Sequence, residues 1–278
     1  MPLEMYAPHV NFHIGAPRIA ANVLKVVSGF KKRGKNNSFL ILKGGEYRQH
    51  LRSFVNGSYE QDGYFGAHET GEEDHWQRWK SFEVLAGSQH AMMGRPKDVF
   101  QLHAILPEAE QRIARLSNFF SNCTLDLHLA ITDQGTYLQS IPSDYLTQLQ
   151  SQTQACSVPS WAELVARISQ SCPNRTLYVW DFSRPAFVAL PFAVAMVNGS
   201  EDLTDELRKP IAEALVENAR APEDVSPSAL DQDMFDVFRE QYEYDLDSID
   251  SIESTVLIRS SNIPEELQVA VGYSSHGS

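Results

Sequence analysis

Asn11-Phe12-His13-Ile14-Gly15-Ala16-Pro17-Arg18-Ile19-Ala20-Ala21-Asn22-Val23-Leu24 is the stretch on which the fold turns. It reads as a short buried strand, a turn at Gly15, and a helix that starts by residue 18 or 19. A helix start leaves backbone N–H groups unpaired and carries partial positive charge, so a phosphate would sit here. The outline is that of a phosphate-binding loop, but its chemistry is altered. Such a loop normally adds a Lys and small hydroxyl residues. Here the cation is Arg18, and Ile19, Ala20 and Ala21 follow it.

Working outward, apolar strand-like runs alternate with helical patterns. Val10–Gly15 is expected as the first strand and Ile19–Phe30 as the first helix, with Gly34 beyond its end. Phe39–Leu42 reads as a second strand, Glu46–Val55 as a short helix, Asn56–His75 as a long surface loop and Phe82–Ala86 as a third strand. Pro96–Phe120 is expected to be helical, because Ile105, Ala109, Ile113, Leu116 and Phe120 recur at helical intervals, with Pro107 starting a new helix within it. Strands are expected at Leu125–Ile131 and Thr176–Trp180, and a helix at Trp161–Ser171 with Pro159 and Ser160 at its start.

Beyond about residue 186 helices dominate. Ser226-Pro227 opens a helix expected to run from Ser228 through Ile249, with Phe235, Phe238, Tyr242, Leu246 and Ile249 on one face. A short strand at Thr255–Ile258 follows. The alternation implies an α/β three-layer sandwich with a parallel central sheet, ligands binding at the C-terminal ends of its strands. The expected layout is a single domain over residues 1–278, with an α/β core at 1–185 and a mainly helical part at 186–278.

Composition narrows the class. The 278 residues are 42% hydrophobic and 21% charged, as in a soluble globular protein. No apolar run has the length of a membrane span, and the N-terminus lacks the pattern of a secretory signal. A cytoplasmic protein without a membrane is the expectation. Cys123, Cys156 and Cys172 are far apart and odd in number, which fits reduced thiols. The net charge of −13 is uneven: residues 1–60 carry +6, including Lys31-Lys32-Arg33-Gly34-Lys35, and residues 201–278 carry −14. An anionic ligand near the N-terminal turn suits this balance, whereas a nucleic-acid partner does not. The Lys cluster also reads simply as a solvated helix end.

The chain resembles the bacterial sulfotransferase-like proteins of the P-loop superfamily. Those enzymes transfer a sulfuryl group from 3′-phosphoadenosine 5′-phosphosulfate (PAPS) to a hydroxyl or amine. Their opening typically reads His-Ile-Gly-x-x-Lys-Thr-Gly/Ala-Thr-Thr, against His13-Ile14-Gly15-Ala16-Pro17-Arg18-Ile19-Ala20-Ala21-Asn22. Leu125–Ile131 resembles the strand before their 3′-phosphate site. Trp161–Trp180 resembles a later helix-strand unit, and Tyr242-Glu243-Tyr244-Asp245-Leu246 a Tyr-x-x-Asp segment near their end. The resemblance is discontinuous, spans most of the chain and rests on the order of these segments.

That likeness implies a PAPS site on Gly15, Ala16, Pro17, Arg18, Ala20, Ala21 and Asn22, with Thr132 and Ser140 at the 3′-phosphate. Thr132 stands where the family usually has Arg, and Asp133 follows it; Ile19, Ala20 and Ala21 remove two hydroxyls and a glycine. Each missing charge-assisted bond costs about 1.5–3 kcal/mol. The implied function is therefore a divergent family member with weakened or lost sulfuryl transfer that retains anion or nucleotide binding.

An active transferase is the alternative. In it Arg18 neutralises the transferring group and His90 deprotonates the acceptor, from a segment Gly87–Gly94 that resembles the family's acceptor site. A second alternative is a non-catalytic protein that meets a protein partner through the acidic helix Asp231–Asp250, whose bland reading is a solvated face over a core stripe. His13 and His128 lie within apolar strands and are expected to be hydrogen-bonded structural histidines; His90 equally reads as a loop histidine. The loop His68–His75 has metal-capable side chains without metal-ligand spacing. There is no Gly-x-Ser-x-Gly elbow, full Walker loop or dinucleotide fingerprint.

Overall fold

The computed structural model describes residues 8–15, 18–30, 39–42, 82–88, 100–101, 104–139, 159–198, 201–219 and 232–270. Strand β1 (His9–Gly15) leads into helix α1 (Arg18–Phe30), and β2 (Phe39–Ile41) and β3 (Val84–Ser88) follow. A two-stranded antiparallel ribbon, β4 (Phe100–Gln101) and β5 (Ala104–Ile105), precedes α2 (Ala109–Phe119). Then come β6 (Thr124–Ile131), α3 (Gln134–Gln139), α4 (Trp161–Ser171), β7 (Thr176–Asp181), α5 (Pro185–Met196), α6 (Glu201–Ala219), α7 (Gln232–Ile249) and β8 (Thr255–Ile258).

Six strands form one sheet in the order β2-β3-β1-β6-β7-β8, and every neighbouring pair is parallel. Parallel pairing needs crossovers, and the helices that supply them cover both faces. On one face Val10, Phe12 and Ile14 of β1 and Leu125, Leu127, Leu129 and Ile131 of β6 pack with α2, α4 and α7. On the other, Ala20, Val23, Leu24 and Val27 of α1 pack with α5 and α6. The expected three-layer α/β architecture with a parallel sheet is present.

Local chemistry explains most boundaries. Ser160 caps α4 by accepting from the Glu163 N–H, after Pro159. In α7, Phe238, Tyr242, Leu246 and Ile249 are buried on one stripe, as the spacing requires. Apolar residues lie all round α5, which suits its place between the sheet and α6. Asn198, at φ 47°, closes that element in the left-handed conformation that Asn tolerates.

One expectation is corrected. Residues 100–101 and 104–105 are strand rather than helix, and the helix begins only at Ala109. The cause is Pro107, which disfavours helical backbone at the residue before it. Leu106 adopts φ 49° instead. Ile105 is buried from a strand, so its helical spacing to Ala109 and Ile113 across the proline misleads. Arg167 of α4 steadies this strained turn by donating to the carbonyls of Ile105 and Leu106 while pairing with Glu110. The third strand runs to Ser88, two residues beyond its expected end. The segments read as Glu46–Val55, Asn56–His75 and Ser226–Ser228 lie outside the described residues.

Candidate functional site

The sheet places two segments with implied roles at one end. Gly15 ends β1 at φ 155°, an angle that residues with a Cβ rarely adopt. It pairs with Leu129 of β6, past a register shift between His13 and Gly15. Two residues later β6 ends at Ile131, and Thr132 follows. From β1 the chain turns into α1 on one face; from β6 it turns toward α4 on the other. Neighbouring strands whose connections part in this way open a crevice at their C-terminal ends, where ligands of α/β sheets bind. The first turn of α1 carries no acidic residue, so nothing there opposes an anion.

The individual residues divide. Arg18 is the first residue of α1. Ala20 is fully buried in the core under α5, so its methyl is a packing group. Asn22 accepts from the Lys25 ammonium at 2.8 Å on the surface of α1. Ala21 lies one residue before Asn22 in the same helix, half-buried. Thr132 is buried and its carbonyl accepts the Trp161 indole N–H at 2.8 Å. Asp133 caps α3, its Oδ1 accepting the Thr136 N–H at 2.8 Å. The described stretch Thr132–Gln139 contains no cation to meet a second phosphate. Ala16, Pro17, His90 and Ser140 lie outside the described residues. The donors at the start of α1 thus fit an anion, while the β6 side supplies a carboxylate.

The Tyr-x-x-Asp segment has a definite structural task. Tyr242 donates its hydroxyl to Asp181 at 2.7 Å. Asp181, buried at the end of β7, also accepts from the Ser183 N–H, the Ser260 N–H and the Ser260 hydroxyl. Burial by itself would raise its pKa, but the bonds from Ser183, Ser260 and Tyr242 outweigh this and hold the carboxyl below its ordinary value. The Tyr242 phenol moves well above its ordinary value, through burial first and then the adjacent Asp181 charge. Asp245, 0% exposed, accepts from Trp161 N–H at the start of α4, Ser160 Oγ, Gln134 Nε2 and Gln241 Nε2. It is a buried anion at a helix N-terminus, satisfied by four donors. Sequence reading assigned Asp245 to the solvated face. The available signal was its position three residues after Tyr242 and four before Ile249, within the buried stripe.

Both strand histidines are hydrogen-bonded side chains. His13 Nδ1 lies 3.0 Å from the Ser88 hydroxyl. His128 Nδ1 accepts the Trp180 indole N–H at 3.1 Å, and its Nε2 lies 3.4 Å from Asn11 Oδ1. Burial is the main force that pushes the His128 pKa down to about 3, so its imidazole is neutral. Among the described residues no group of three His, Cys, Asp or Glu side chains could hold a metal ion, and no helix is long and apolar enough to cross a membrane. Cys123 and Cys172 are buried. Comparisons with family models, curated proteins and solved structures each return no match.

Proposed function

We propose that this chain is a divergent relative of the sulfotransferase-like P-loop proteins that binds an anionic nucleotide of the adenosine 3′,5′-bisphosphate class at the start of α1, with sulfuryl transfer from PAPS weakened or lost. One observation carries the reading: Gly15 ends β1 and Thr132 directly follows the end of the neighbouring β6, both singled out by two distant segments of resemblance, and the helices after these strands part to opposite faces. Loss of transfer is favoured by the β6 side, where Asp133 and the buried Thr132 stand in place of a cation. PAPS, when bound, would supply the sulfuryl group; the chain's own part is to hold the 5′ anion on the open backbone N–H groups of the first turn of α1, with Arg18 as the nearby cation.

Thermal melts with and without ligand test this together with a transfer assay. Adenosine 3′,5′-bisphosphate at millimolar concentration raises Tm while adenosine does not, and added salt shrinks the shift. Radiolabelled PAPS with a panel of phenols and amines yields no sulfated product at ordinary enzyme rates. An equal shift with adenosine removes the anion site. Rapid sulfation would show an active transferase.

A further inference from the structure

The face of the sheet beneath α5 carries a row of polar and aromatic side chains where a parallel sheet normally carries aliphatic ones. Asn11 Nδ2 donates to the carbonyls of Ala195 and Met196 at 3.1 and 3.2 Å, and to Asn198 Oδ1 at 3.2 Å. It therefore fastens the C-terminal end of α5 to β1, satisfying carbonyls that a helix end leaves open. Asn11 is in turn held by His128, and His128 by Trp180.

The donors fix the protonation state. An indole N–H can only donate, so His128 Nδ1 has to accept, and the single ring proton lies on Nε2 toward Asn11 Oδ1. A second proton on Nδ1 would set two N–H groups against each other. Strand β1 presents Asn11, His13 and His9, and β6 itself presents Asp126, which is paired with His9 at 2.8 Å. From β7, Tyr178 stacks on the imidazole at 5.0 Å beside Trp180, and from α5 comes the edge of Phe192. Helix α5 has no titratable side chain. The attraction of Asp126 for an imidazolium is opposed by burial and by the two other histidines.

We propose that the Trp180–His128–Asn11 bridge is an acid-sensitive latch, which holds the end of α5 on the sheet and releases it when His128 takes up a proton. Opening hydrates the imidazole, which then titrates near its ordinary value. Each pH unit below about 6.5 therefore favours the open state up to tenfold.

Amide hydrogen exchange on the full chain between pH 6.5 and 4.5, corrected for intrinsic rates, reads the opening directly. Amides of residues 190–198 are expected to lose protection close to tenfold per pH unit, while those of α4 on the opposite face lose far less. His128→Gln, which keeps one donor and one acceptor, is expected to flatten that slope below about twofold per unit. An unchanged slope in His128→Gln, a slope abolished by His13→Gln instead, or pH-independent opening in the natural chain overturns the proposal. Should His128→Gln fail to fold, the natural chain decides through its His128 ring-proton resonance. Neutral imidazole persisting at pH 4.5 supports the latch, and titration near pH 6.5 in the folded state refutes it.

Discussion

Asp181 and Asp245 are the two carboxylates buried among the described residues, and each is held by four donors. A buried charge without partners is costly, and breaking one bond to it exposes that cost. Tyr242→Phe removes the hydroxyl that reaches Asp181 and should lower stability by about 1.5–3 kcal/mol in urea denaturation. The same phenol predicts an alkaline limit. Folding favours the neutral form of Tyr242, and of Tyr137, which burial pushes up to about 12. Their contribution is complete below the unfolded value near 10 and falls as pH rises through the folded values. Urea midpoints measured from pH 9 to 11 should decline above pH 10, and Tyr242→Phe should decline less. Gly87 shows a steric limit of the same local kind. A Cβ there would lie 2.5 Å from two ring carbons of the fully buried Phe12. Gly87→Ala should therefore cost about 1–3 kcal/mol, read from the same midpoints.

At the scale of elements, Asp245 ties three helices. From α7 it caps the start of α4 and receives Gln134 of α3. Asp245→Ala removes the cap and leaves buried donors open, and should cost about 2–4 kcal/mol with the largest loss of exchange protection in the first turn of α4. What the sequence made legible follows from periodicity and punctuation. Ser160 after Pro159 set the start of α4 to the residue, and alternation in Leu125–Ile131 located β6. The ribbon β4–β5 was hidden because Ile105 continues a helical spacing across Pro107, whose effect on Leu106 is steric and local. Helix α3 was missed because Gln-Gly-Thr-Tyr-Leu-Gln is too short and polar to show a period; the Asp133 cap is what starts it. Apart from the local bonds from Ser183 and Gln241, the contacts that define the roles of Asp181 and Asp245 span 61 to 111 residues of sequence, which no local pattern displays.

For the whole molecule, the order β2-β3-β1-β6-β7-β8 does what no single segment can. It sets the end of β1 beside the end of β6, with α1 and α4 leaving on opposite faces. The alternation of strands and helices announced a parallel sheet, but not which strands would be neighbours, because strand order arises from crossovers and packing. On the proposed reading an anion at the ends of these strands would meet the start of α1 on one side and Asp133 on the other. That balance is the ground on which binding without transfer is proposed. Titration calorimetry with adenosine 3′,5′-bisphosphate at low salt, run on the natural chain and on Arg18→Ala, tests this most directly. The account predicts a micromolar to sub-millimolar Kd that weakens at least about tenfold in the variant, equivalent to about 1.4 kcal/mol. No heat at millimolar ligand, or equal binding by both proteins, would contradict it.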